Sequence, residues 1–201
     1  MADKEKRTGE IERRIFSGTG LEVRAGEGGE TPPVLEGYAA MFDELSEDLG
    51  GFREQIAPGA FTKALGGDVR ALFNHDGNLI LGRTKAKTLR LDEDQRGLRV
   101  EITPPDTSAA RDLMKSIERG DVDQMSFGFR TMKDSWDEVD GELIRTLIEV
   151  RLFDVSPVTF PAYPQTEIAL RSMQTWQAEA TGDPVPDYSN ERRKLDLIEA
   201  A

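Results

Sequence analysis

The chain of 201 residues contains no cysteine and a single histidine. The first absence excludes disulfide scaffolds, thiolate metal sites and cysteine nucleophiles. The second makes a histidine-rich metal site impossible, so any metal would have to sit on carboxylates. Basic side chains are in deficit, 26 Lys and Arg against 38 Asp and Glu, which leaves a net charge of −12. Such a balance repels phosphate backbones and anionic membranes alike, so neither nucleic acid nor membrane is expected as a partner. Long apolar runs are missing as well, nothing approaching the roughly 20 residues of a membrane span. The opening "MADKEKRTGEIERRI" is charged throughout. These absences point to a soluble protein of a cytoplasm, with no cofactor called for.

What is present suits one domain with tails. Residues 1–33 read as a flexible N-terminal segment, ending in the Gly/Pro/Glu connector "AGEGGETPP". The compact part is expected over 34–170. Seven short runs of strand character recur there between turn signals: "VLEGYAAMF", "VRALFNH", "LILGRT", "TLRLD", "GLRVEI", "QMSFGFRTM" and "LIRTLIEVRLFDV". They predict a mainly β domain, closed as a barrel or sandwich and flanked by helices. In "DTSAARDLMKSIERGD", Ala110, Leu113, Met114 and Ile117 form the stripe of an amphipathic helix. Asp106 or Thr107 can cap its start and Gly120 can end it. A second short helix is expected in "GAFTKALGG". Residues 171–201 read as a helical and linker tail outside the main core.

Three positions can carry chemistry. His75, in "LFNHDGNLILG", shares a predicted strand face with Val69, Ala71 and Phe73, and "HDG" carries the Asp-Gly signal of a two-residue hairpin. A rim residue bonded to backbone fits as well, unless a nucleophile meets the ring. In "DQMSFGFRT", Met125, Phe127 and Phe129 alternate with Ser126 and Gly128, so a period-two strand buries the large residues and presents a hydroxyl beside a missing side chain. That suits a nucleophile approached by an extended peptide, and it also suits a serine in a tight spot. Glu149, in "LIRTLIEVRLFDV", falls on one face with Leu147, Arg151 and Phe153. It is either a surface ion pair or the carboxylate that orients an imidazole.

Taken together and in order, "GYAAMFD", "FREQIAPGAF", "VRALFNHD", "GLRVEIT", "MSFGF" and "IEVRLFDVSPVTFPAYP" resemble the prohead proteases of tailed bacteriophages over about two-thirds of the chain. These enzymes trim capsid and scaffold proteins during head maturation. The herpesvirus assembly proteases look like distant relatives, with a histidine in an Asn-His-Asp context and a second histidine in a strand that matches Glu149. The resemblance implies a closed β-barrel of the herpesvirus-protease type. It implies Ser126 as nucleophile, His75 as general base and Glu149 as the third member, with Asp154 as the weaker alternative. Pro157 has no N–H to offer, so an oxyanion donor in that stretch would be the backbone of Ser156 or Val158.

The same resemblance implies a serine endopeptidase acting inside the assembling prohead in the bacterial cytoplasm. Its substrates would be segments of the major capsid protein, the scaffold or the protease itself, and self-association as a dimer or higher assembly is expected. The rival reading is a catalytically inactive scaffolding or capsid-assembly protein. A metal-dependent hydrolase has no spaced ligand motif behind it.

Overall fold

The computed structural model describes residues 11–26, 32–160, 167–182 and 184. In chain order the elements are β1 (Glu12–Phe16), β2 (Glu22–Arg24), β3 (Val34–Met41), β4 (Arg53–Ile56), β5 (Arg70–Phe73), β6 (Asp76–Arg83), β7 (Leu89–Glu93), β8 (Gly97–Ile102), α1 (Ser108–Glu118), β9 (Gln124–Val139), β10 (Glu142–Val158) and α2 (Glu167–Thr181). The chain forms two compact units, residues 1–166 and 167–201. The second contains α2, whose Thr175 and Thr181 hydroxyls donate back to the carbonyls of Arg171 and Gln177.

The mainly β prediction holds, and the closed barrel does not. Among the described residues the strands form two sheets, a six-stranded one ordered β1-β9-β10-β5-β6 with β4 on β10, and a four-stranded one ordered β2-β3-β8-β7. Each ladder ends on strands that do not pair with one another, so neither sheet closes on itself. The inner faces meet instead. Met125, Phe127, Phe129, Leu147 and Val155 of one sheet, and Leu35, Leu98, Val100 and Ile102 of the other, belong to one buried core. The alternation in "MSFGF" therefore has its expected result, with the large residues facing inward.

Helix α1 also forms as its stripe predicts. Ala110, Leu113 and Ile117 are buried, and Thr107 is the cap, its Oγ1 accepting from the Ala110 N–H. Asp106, the other candidate cap, pairs with Arg111 instead. Gly120 stops the chain with φ of +80°. "GAFTKALGG" differs from expectation. It is a series of turns closed mainly by i to i−3 bonds, with Glu93 accepting from the Phe61 N–H and the Thr62 hydroxyl. An acceptor supplied by β7 takes the donor that a continued helix would have used.

The folded part begins well before Val34. β1 pairs antiparallel with β9, and β2 with β3. Hydropathy hides β1 because its inward face is charged. Glu12 and Arg14 are buried together with Glu54, Arg145 and Thr131. The Arg145 guanidinium bonds Glu12 and Glu54 at 2.9 and 3.0 Å, and its Nε donates to Asp134 at 2.9 Å. Arg14 donates to Glu54 at 2.7 Å and to Glu12 at 2.9 Å, while the Thr131 hydroxyl donates to Glu12 at 2.7 Å. Each buried charge thus has opposite charges and donors around it, the condition under which charge is tolerated away from water.

Removing one partner should be costly. Arg145→Ala leaves three carboxylates without their shared cation, and denaturant unfolding is expected to show a loss of about 3–5 kcal/mol. The network also predicts acid sensitivity. Burial alone pushes the Glu12 carboxyl up, but the Arg145 and Arg14 guanidiniums hold it at about 2 against an ordinary 4.5. A carboxyl lowered by folding stabilises fully above its unfolded value and loses that contribution as pH falls towards the folded one. The unfolding midpoint should therefore drop between about pH 4.5 and 2. Glu12→Gln, less stable near neutrality, should decline more shallowly over that window.

Candidate active site

His75 lies on a turn rather than a strand. The hairpin anticipated near Asp76 is present, but its two central residues are Asn74 and His75, with φ of +54° and +57°, and Phe73 pairs with Asp76. Two successive left-handed residues are the mark of a tight hairpin turn matched to strand twist, and asparagine tolerates that conformation well. Asp76 and Gly77 start β6 instead of forming the turn. The turn is tied to the end of β10: the Asn74 N–H donates to the Pro157 carbonyl at 3.0 Å. Asn74 Oδ1 in turn accepts from the Thr159 N–H at 3.0 Å.

This placement delivers the imidazole to the outer face of the six-stranded sheet, where Ser126 points away from the core. His75 Nε2 is 2.7 Å from Ser126 Oγ. On the other side of the ring, Nδ1 is 2.5 Å from Asp154 Oδ1. A carboxylate can only accept, so Nδ1 carries the proton, Nε2 is the acceptor and the Ser126 hydroxyl donates to it. Ser126 is fully buried and only 8 % of the His75 side chain is exposed. In such surroundings these hydrogen bonds are stronger than they would be in water.

Glu149 is not brought to this cluster. It accepts from Lys63 Nζ at 2.7 Å and stands opposite Lys133 in the β9–β10 ladder. The difference comes from β-bulges. Strict alternation places Asp154, five residues on, across the sheet from Glu149's face, but the ladder shifts register between Leu147 and Glu149, between Glu149 and Val150, and again between Leu152 and Asp154. Each extra residue resets which side chains face outward. Beyond the last shift Asp154 lies opposite Gly128 and Ser156 opposite Ser126. The sequence sign of this reset is that the apolar, buried pairs Leu147/Val150 and Leu152/Val155 are each spaced by three rather than two.

Two further residues shape the seat of Asp154. Gly128 lies directly beneath it, and a Cβ built there would come within 2.3 Å of Asp154 Oδ2. The small residue in "MSFGF" thus makes room for a carboxylate. Ser156, which sequence reasoning weighed only for its backbone, is fully buried and donates its hydroxyl to Asp154 Oδ1 at 2.9 Å. As for the backbone donors considered for an oxyanion, Ser156 and Val158 both belong to the β9–β10 ladder. Their N–H groups lie in the plane of the sheet, not above Ser126.

Chemically, a hydroxyl, an imidazole and a carboxylate in line can activate the oxygen for attack on a carbonyl. Among the described residues no group of three or more His, Cys, Asp or Glu is placed to hold a metal ion. No helix there is long and apolar enough to cross a membrane.

Comparison with known proteins finds similar chains among phage proteases. The prohead protease of Enterobacteria phage HK97 is 31 % identical over 166 residues, covering 74 % of this chain and 69 % of that protein. The structure of the bacteriophage T4 capsid assembly protease, gp21, matches with a TM-score of 0.52 at 12 % identity, over 74 % of this chain and 97 % of that one, a likeness of fold. Residues 19–179 match the model of the caudovirus prohead serine proteases, and the chain belongs to that family.

Proposed function

We propose that this chain is a serine endopeptidase of phage head maturation in which Ser126 is the nucleophile, His75 the general base and Asp154 the orienting carboxylate. The observation that carries the assignment is the line from Ser126 Oγ to His75 Nε2 at 2.7 Å and from His75 Nδ1 to Asp154 Oδ1 at 2.5 Å. Asp154 takes the place for which the sequence favoured Glu149.

Ser126 Oγ adds to the scissile carbonyl carbon while its proton passes to His75 Nε2. The imidazolium then protonates the departing amine as the C–N bond breaks, leaving an acyl-serine. Water, deprotonated by the same nitrogen, hydrolyses the ester and restores the hydroxyl. Asp154 fixes the tautomer throughout and stabilises the positive ring. The substrate is an extended segment of the capsid protein or of its scaffolding region, which fits the prohead and capsid-assembly roles named for the two similar proteins.

Co-expression with the capsid protein of the same phage, read by intact mass of the head proteins, tests these roles. Ser126→Ala and His75→Ala should abolish the shortened products. Asp154→Asn should slow their appearance by about 10³- to 10⁴-fold. Glu149→Gln removes an ion pair worth only ~0–1 kcal/mol and should process nearly as wild type. Products that persist in Ser126→Ala would remove the nucleophile from the scheme, and a loss with Glu149→Gln but not with Asp154→Asn would return the third place to Glu149.

Gly128→Ala provides a separate check on geometry. The added methyl displaces the Asp154 carboxylate, so processing should fall severely while the thermal midpoint stays within about 5 °C of wild type.

A further inference from the structure

Asp154 is a carboxylate largely withdrawn from water, and such a group needs donors. One is the ring of His75. Among the described residues no lysine or arginine makes an ion pair with it. The second donor is the Ser156 hydroxyl, 2.9 Å from the same Oδ1 that faces His75 Nδ1. Ser156 Oγ itself lies 3.4 Å from Nδ1, so serine, carboxylate and ring form a compact triangle. Ser156 is wholly buried on β10, directly across from Ser126 on β9. Its side chain is therefore carried by the strand next to the one bearing the nucleophile, and Asp154 lies two residues before it on the same strand.

On the catalytic assignment given above, we infer that Ser156 is a positioning residue for the reaction, which aims the Asp154 carboxylate at the imidazole by way of Oδ1. A neutral donor suits this task better than a cation. Lysine or arginine would cancel the charge that must stabilise the imidazolium, whereas a hydroxyl restricts the carboxylate's rotation and leaves its charge in place. Gly128 bounds the carboxylate on the Oδ2 side and Ser156 holds it on the Oδ1 side, so its orientation is fixed from both ends.

The test uses the full chain and the fact that it has one histidine, so every imidazole signal in a ¹⁵N-histidine-labelled sample belongs to His75. Ser156→Ala removes the hydroxyl. Ser156→Cys fills the same space with a much weaker donor and separates packing from hydrogen bonding. Both variants should cleave capsid protein about tenfold to a hundredfold more slowly, as expected for losing a hydrogen bond to a charged group. Both should also shift the Nδ1-bound proton resonance of His75 away from its wild-type position. Thermal midpoints report whether each variant is folded. Wild-type cleavage in Ser156→Ala, or recovery of the wild-type rate and resonance in Ser156→Cys, would overturn the inference by showing either no role or one of packing. Failure of the catalytic scheme itself looks different: in that case Asp154→Asn would leave both cleavage and the His75 resonance unchanged.

Discussion

The site depends on a carboxylate that has been taken out of water. Asp154 can face His75 only because something else compensates for its lost hydration, and this requirement accounts for its neighbours. Ser156 supplies a hydroxyl, the imidazole supplies its Nδ1 proton, and Gly128 supplies space. Each comes from a different local structure: a bulged strand, a two-residue turn and an alternating strand. Changing any one of them alters the seat of the carboxylate for the other two, since hydrogen bonds in a poorly polarisable medium act on one another.

The opposite face of the same sheet solves a similar problem at larger scale. Glu12, Glu54 and Asp134 meet Arg14 and Arg145, so two guanidiniums and three carboxylates bring together four strands. The two clusters differ in purpose. On the inner side charges are matched against each other and the result joins β1, β4, β9 and β10. On the outer side the carboxylate is met by neutral donors and keeps its charge for the ring beside it. A single sheet thereby carries an ion-paired cluster on its inner face and, on its outer face, a carboxylate held by neutral donors.

How much of this was legible in the sequence depended on residue type and period. Ser126 and His75, which the structure brings together, could be singled out because the chain has one imidazole and because "MSFGF" alternates without interruption over five residues. Helix α1 was readable for the same reason, its stripe being regular and its caps conventional. Asp154 ranked behind Glu149 because the resemblance aligned the third member on Glu149, and because unbroken alternation put Asp154 on the opposite face, where only the bulges of β10 return it to the side of Ser126. β1 was missed because Glu12 and Arg14 face inward, where a pattern reading expects apolar residues. The barrel was not formed because closure depends on which edges pair, and edge pairing is a tertiary choice that alternating runs do not encode. Ser156 carried no signal of its own beyond standing in a familiar stretch; its role emerges only once register places it beside the carboxylate.

The sequence separations within these clusters have a consequence for the order of events during synthesis. His75 and Asp154 are 79 residues apart, and Glu12 and Arg145 are 133 apart. A sheet whose first strand must wait for its last partners has high contact order and completes late. A ribosome-bound chain that has not yet exposed β10 holds Ser126 and His75 but neither Asp154 nor the strand that anchors the Asn74 turn. The three members of the cluster can therefore meet only after β10 has been released, when most of the chain has already been made.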